Sequence, residues 1–119
     1  MKKYFFLFVF VFSSLISCTQ EKTTTYYLIR HAEKDRTDKA NRNPNLNETG
    51  LKRAAKWAEY FKNIDLEAVY STKYNRTQQT ATPTAKSKNL EIINYNPSKM
   101  YDSIFQLNTK GKTVLVVGH

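Results

Sequence analysis

Apolar and polar positions along residues 25–119 fall into blocks that predict four strands and three helices. Thr25-Tyr26-Tyr27-Leu28-Ile29 has the β-branched and aromatic composition of a buried strand, and it runs straight into Arg30-His31. A loop dense in charge and Asn follows from Glu33 to Asn45, closed by Asn43-Pro44, where helix is disfavoured. Asn47 is placed to cap a helix running to about Lys62, with Leu51, Ala54, Ala55, Ala58 and Phe61 on one face. Within Asp65–Ser71 the short apolar core Ala68–Tyr70 predicts a second strand. The helix after it starts near Tyr74, repeats Arg76, Thr77, Thr80, Ala81 and Ala85 at three- and four-residue steps, and should kink or break at Pro83. Leu90–Tyr95 predicts a third strand, Asn96-Pro97 a turn, and Ser98–Leu107 a short helix capped by Ser98. After a turn at Gly111, Thr113-Val114-Leu115-Val116-Val117 is the longest β-branched run, as expected of a central strand covered on both faces. Strands alternating with helices predict a parallel α/β sheet, a three-layer α/β/α arrangement.

The first residues are set apart from this pattern. Met1-Lys2-Lys3 is basic, Tyr4 to Ile16 is aromatic and aliphatic, and Leu15-Ile16-Ser17-Cys18 closes the run. The apolar run is shorter than the roughly 20 residues a spanning helix needs. It resembles a bacterial lipoprotein signal, in which Cys18, the only cysteine, becomes the first mature residue and carries the lipid. The expected organisation is a signal peptide over 1–17, a polar tether over 18–24 and one domain over 25–119. The implied location is the cell envelope, with membrane contact through the lipid.

Charge narrows the partners only partly. The chain carries +9, and removing Lys2 and Lys3 leaves 17 basic against 10 acidic residues, or +7, which attracts anions. The basic residues are spread through every segment, and no recognition helix or aromatic RNA-binding signature accompanies them, which argues against nucleic acid. Lys34, Arg36, Lys39 and Arg42 of the long loop are placed to reach an anionic substrate or simply to be solvated.

Three basic positions occupy equivalent places in the pattern: Arg30-His31 after the first strand, Arg76 just inside the helix after the second, and His119 after the last. In a parallel sheet the carboxyl ends of the strands meet at one crevice, where ligands bind. Leu28-Ile29-Arg30-His31-Ala32-Glu33, Leu46-Asn47-Glu48-Thr49-Gly50, Tyr70 to Ala81 and Val114 to His119 together resemble, in order, the motifs of the histidine phosphatase (phosphoglycerate-mutase-like) superfamily in its short branch, with Ala32 where Gly is commoner. The resemblance implies a phosphomonoester hydrolase in which His31 is the nucleophile and Arg30, Arg76 and His119 bind the phosphoryl group. It makes Asp102 the closest positional match for the proton donor, implies no cofactor or metal, and implies that further elements follow His119. The roles fit the residue types. An imidazole with a pKa of about 6.5 keeps a nucleophilic fraction at neutral pH, and guanidinium forks match phosphoryl oxygens. The two histidines could instead ligate a metal, although flanking arginines oppose a bound cation. A catalytically silent module that binds phosphate esters or phosphoproteins through the same pocket is the alternative, and export disfavours a phosphosugar mutase.

Overall fold

The structure, a computed structural model, describes residues 22–119. The signal-like segment 1–17 and Cys18 lie outside the described residues. Four strands, β1 (Thr25–Arg30), β2 (Ala68–Ser71), β3 (Ile92–Asn94) and β4 (Thr113–Gly118), form one parallel sheet in the order β1-β4-β2-β3. Helices α1 (Glu48–Tyr60) and α2 (Asn75–Ser87) connect β1 to β2 and β2 to β3. A 3-10 turn (Pro97–Lys99) and α3 (Ser103–Thr109) then lead back to β4. Parallel crossovers are right-handed, so the reversal that inserts β4 between β1 and β2 sends its crossover to the opposite face of the sheet. The two cores reflect this. Phe61, Leu66, Val69, Ala81, Ala85, Leu115 and Val117 pack on one side, and Ala68, Tyr70, Phe105, Val114 and Val116 on the other.

The run Val114–Val117 is buried on both faces, as expected of a central strand. The opening strand differs from its expected burial: among the described residues β1 is an edge strand, paired only with β4. Its Tyr27 and Ile29 join the larger core, while Leu28 on the other face is 63% exposed, because short α3 reaches only Tyr26, through Phe105. Lys22 and Thr24, expected in a tether, are engaged with the domain. The Lys22 ammonium pairs with Glu67 at 3.3 Å, and Thr24 Oγ1 accepts from the Gly111 amide at 2.7 Å.

The face of α1 is rotated from the expected one. Gly50 and Ala54 are buried, whereas Leu51 is 53% exposed and Ala55 is exposed. Gly50 sets this rotation, since a Cβ there would stand 2.1 Å from the Glu33 carbonyl oxygen. Asn47 caps the helix as expected, its Oδ1 accepting from Gly50 N at 2.8 Å. α2 runs through Pro83 without a break. The single helix expected over Ser98–Leu107 is instead two pieces. Asn96 caps the 3-10 turn, Tyr101 takes a positive φ of 62°, and Asp102 begins α3. A left-handed residue cannot continue a helix, so Tyr101 separates them.

Candidate active site

β1, β2 and β4 deliver their carboxyl ends to one side of the sheet, where Arg30 is in register with Gly118 and Ser71 with Val117. His31 follows at once, its amide donating to Gly118 O at 2.8 Å, so the loop start is stitched to β4 beside His119. The β2–α2 turn is fixed by hydroxyls. Thr72 Oγ1 and Thr77 Oγ1 lie 2.8 Å apart, Thr77 Oγ1 donates toward the Tyr74 carbonyl at 3.0 Å, and Gln78 Nε2 donates to Thr72 O at 2.9 Å. The turn ends by presenting Tyr74 and Arg76. The Tyr74 ring lies 4.5 Å from the Arg76 guanidinium carbon and 4.8 Å from the His119 ring, edge to face, so one aromatic side chain spaces both cationic-capable groups.

The long loop is laid on α2. Its base closes through the Lys34–Leu46 bridge and the bond from Asp35 N to Asn45 O, 2.8 Å. Asn43 Oδ1 accepts from Asn75 N at 2.8 Å, and Gln79 holds Leu46 N and Asn45 Oδ1 at 2.7 and 3.1 Å. Arg30 forms a wall between two clefts. Lys34, Asp35 and Arg36 line the first with His31, and Tyr95, Pro97 and Met100 line the second with His119. Lys39 and Arg42 line neither cleft.

His31 Nδ1 lies 2.7 Å from Ala32 O. A carbonyl oxygen only accepts, so Nδ1 carries the proton and the lone pair of the neutral ring resides on Nε2. Burial lowers the pKa of His31 below the usual imidazole range; the bond to Ala32 O pulls it upward, and Arg76, Arg30 and Lys34 add to the lowering. His119 is lowered by burial first and then by the same three cations. Both rings therefore stay neutral to lower pH than a free imidazole. Because the folded state binds these protons less readily, stability falls as pH drops below about 6.5 through the depressed folded values. In an NMR titration both histidines should titrate below 6.5, and Lys34→Ala should move both upward, since it removes a positive neighbour from each. Unchanged midpoints would contradict this electrostatic picture.

Arg76 Nε is buried and has no hydrogen-bond partner among the described residues. A buried guanidinium N–H left unpaired is costly, and an anion seated at the strand ends would satisfy it. Each carboxylate beside the first cleft has one oxygen engaged, while Glu33 Oε2 is buried without a partner among the described residues. Glu33 pairs with Arg53, and Asp35 Oδ1 accepts from Thr37 N at 2.9 Å. Asp102 lines neither cleft and caps α3, its Oδ1 accepting from Phe105 N at 2.9 Å. The structure thus brings Arg30, His31, Arg76 and His119 together and leaves Asp102 outside the group. Sequence reasoning passed over Tyr74, Tyr95 and Asn43, whose types carry no chemical signature. Among the described residues, no group of three or more His, Cys, Asp or Glu side chains is placed to hold a metal ion, and no helix is long and apolar enough to cross a membrane.

A parallel sheet with a basic, imidazole-bearing crevice at its strand ends defines an α/β protein whose candidate site is electropositive. The sequence profile of the histidine phosphatase superfamily (branch 1) matches residues 26–96, more than half of the chain, and the chain belongs to that superfamily. The matched part contains Arg30, His31 and Arg76, and His119 lies beyond it. The structure is similar to SixA of Agrobacterium tumefaciens, a candidate phosphohistidine phosphatase, at a TM-score of 0.67 and 25% identity over 81% of this chain and 69% of that one. It shares its fold with the protein histidine phosphatase SixA complexed with tungstate (TM-score 0.65, 17% identity, 79% and 68% of the two chains). It also matches mycobacterial glucosyl-3-phosphoglycerate phosphatase at a TM-score of 0.51 and 19% identity, over 58% of this chain and 34% of that larger one. No curated protein matches the sequence.

Proposed function

We propose that this protein is a phosphoryl hydrolase of the cell envelope that works through a phosphohistidine at His31. One observation carries the reading. The bond from His31 Nδ1–H to Ala32 O leaves the Nε2 lone pair free, in the field of an arginine whose buried Nε–H has no partner among the described residues. In the first step Nε2 attacks phosphorus, a P–N bond forms, and the bond to the leaving group breaks with its electron pair. Water then attacks the phosphohistidine, releasing inorganic phosphate and restoring the neutral ring. Arg30 and Arg76 bind the equatorial oxygens in ground and transition states, and His119 donates an N–H where charge accumulates.

The substrate class follows from the carboxylates. Hydrogen bonds from Arg53 and from the Thr37 amide hold the Glu33 and Asp35 carboxyls below the usual carboxylate range, so neither keeps a proton to donate, and Asp102 Oδ1 accepts from the Phe105 amide. Such a site suits leaving groups that depart without help from a fixed acid, among them a protein phosphohistidine, the group for which the similar SixA of Agrobacterium tumefaciens is a candidate phosphatase. We assign Asp102 to its helix cap rather than to leaving-group protonation. Asn caps as well as Asp, so Asp102→Asn should hold turnover of aryl and alkyl phosphates within about threefold of wild type. A loss confined to alkyl esters would instead make Asp102 the acid.

The envelope location rests on the sequence ending at Cys18. The wild type should fractionate with membranes and carry lipid mass on Cys18, and Cys18→Ser should be soluble. A soluble, unlipidated wild type would remove the envelope from the proposal. Hydrolysis itself is tested with the complete protein on an aryl phosphate and on a phosphohistidine protein, in chelator and with vanadate as competitor. Binding of both substrates without turnover would favour the silent binding module.

A further inference from the structure

Next to His31, the loop that carries it meets the helix that carries Arg76 at a buried hydroxyl. Thr80, on α2 one turn after Arg76, is fully buried, and Ala32 is only 2% exposed. Thr80 Oγ1 donates its one proton to Arg76 O at 2.6 Å and accepts from Ala32 N at 2.9 Å. The other end of Ala32, its carbonyl, is the acceptor that fixes the His31 ring. We propose that Thr80 is a positioning residue, whose hydroxyl pins Ala32 so that the lone pair of His31 and the guanidinium of Arg76 are held in one fixed relation. This rests on His31 being the nucleophile and adds a residue to that site.

The two bonds of the hydroxyl are not equivalent. The Arg76 carbonyl has the regular helical bond in addition, so loss of the hydroxyl leaves it served. The Ala32 amide has no second partner among the described residues, and a buried N–H without one must move to find water or another acceptor. The disturbance therefore falls on the loop bearing the nucleophile. The rest of that loop keeps its own ties to α2 through Asn43, Asn75 and Gln79. Arg76 keeps its place through the helix and the Tyr74 ring. Displacement of the nucleophile by a fraction of an ångström to an ångström impairs attack more than it impairs binding of the anion.

The experiment compares the complete wild type with Thr80→Val, which keeps the shape, and Thr80→Ser, which keeps the hydroxyl. With an aryl phosphate, Thr80→Val should lower kcat by about 10- to 100-fold while the Kd for inorganic phosphate changes little. Thr80→Ser should recover most of kcat. The imidazole 15N spectrum of His31 gives a readout that needs no turnover: a protonated Nδ1 in wild type and Thr80→Ser, and mixed tautomers in Thr80→Val. A wild type without turnover that still shows this spectral change defeats the hydrolase reading and leaves the positioning role standing. A wild-type kcat in Thr80→Val, or equal losses in both variants, overturns the positioning role. If Thr80→Val does not fold, Thr80→Ala takes its place, and failure of both makes Thr80 a determinant of the fold and overturns the proposal as well.

Discussion

His31→Ala in the complete protein should lose phosphatase turnover by about 10⁴-fold or more, the scale on which nucleophile removal acts in enzymes with covalent intermediates. Binding should outlive chemistry. The anion is held by Arg30 and Arg76, which the substitution leaves in place, and shortening the ring removes one hydrogen bond, to Ala32 O, without leaving a buried charge unpaired. Phosphate or vanadate affinity should therefore change far less than kcat. Equal losses in the two would mean that His31 acts as an ordinary binding group and that another residue attacks phosphorus.

Arg76→Ala should damage both. Its Nε–H is buried and has no partner among the described residues, so the donor is placed for an anion in ground and transition states alike. Loss of one such donor to a developing charge costs about 2.7 to 4 kcal/mol, or 100- to 1000-fold in kcat, and KM should rise with it. Arg76→Lys should not restore activity, because an ammonium offers no planar fork and forfeits stacking on Tyr74. The same substitution to Ala should raise the pKa of both histidines, since Arg76 contributes to lowering each. A variant that loses activity with neither a KM change nor a histidine shift would place Arg76 outside the site.

The parts of this arrangement that were legible in the sequence are those written in periodicity and in charged residue types. The four strands and their parallel sense follow from short apolar runs alternating with helices, and the convergence of Arg30, His31, Arg76 and His119 follows from the three of those runs that end in a basic residue or in a helix bearing one. Three elements were not legible, for separable reasons. Leu28 reads as core because strand composition does not say whether a strand lies at an edge, and its exposure depends on how far α3 extends over the sheet. The rotation of α1 follows a backbone contact, Gly50 on Glu33, which no hydrophobic pattern encodes. The break at Tyr101 is a single left-handed residue of a type that rarely adopts that conformation, so Ser98 appeared to be the cap that Asp102 in fact provides. Within the site, Thr80 was visible as part of a helical face and of the Tyr70–Ala81 motif, with no role attached to it. Its hydroxyl matters because the fold lays Ala32 against it.

The central claim is that His31 carries the phosphoryl group between substrate and water. Rapid base-quench of the complete wild type turning over a labelled phosphate ester or phosphohistidine protein tests it directly, followed by peptide mapping under conditions that preserve P–N bonds. The predicted result is acid-labile, base-stable phosphate on the peptide containing His31, formed at a rate at least equal to kcat and absent from His31→Ala. Label on any other residue, or steady turnover with no trapped phosphate under conditions where breakdown of the intermediate limits the rate, would contradict the account.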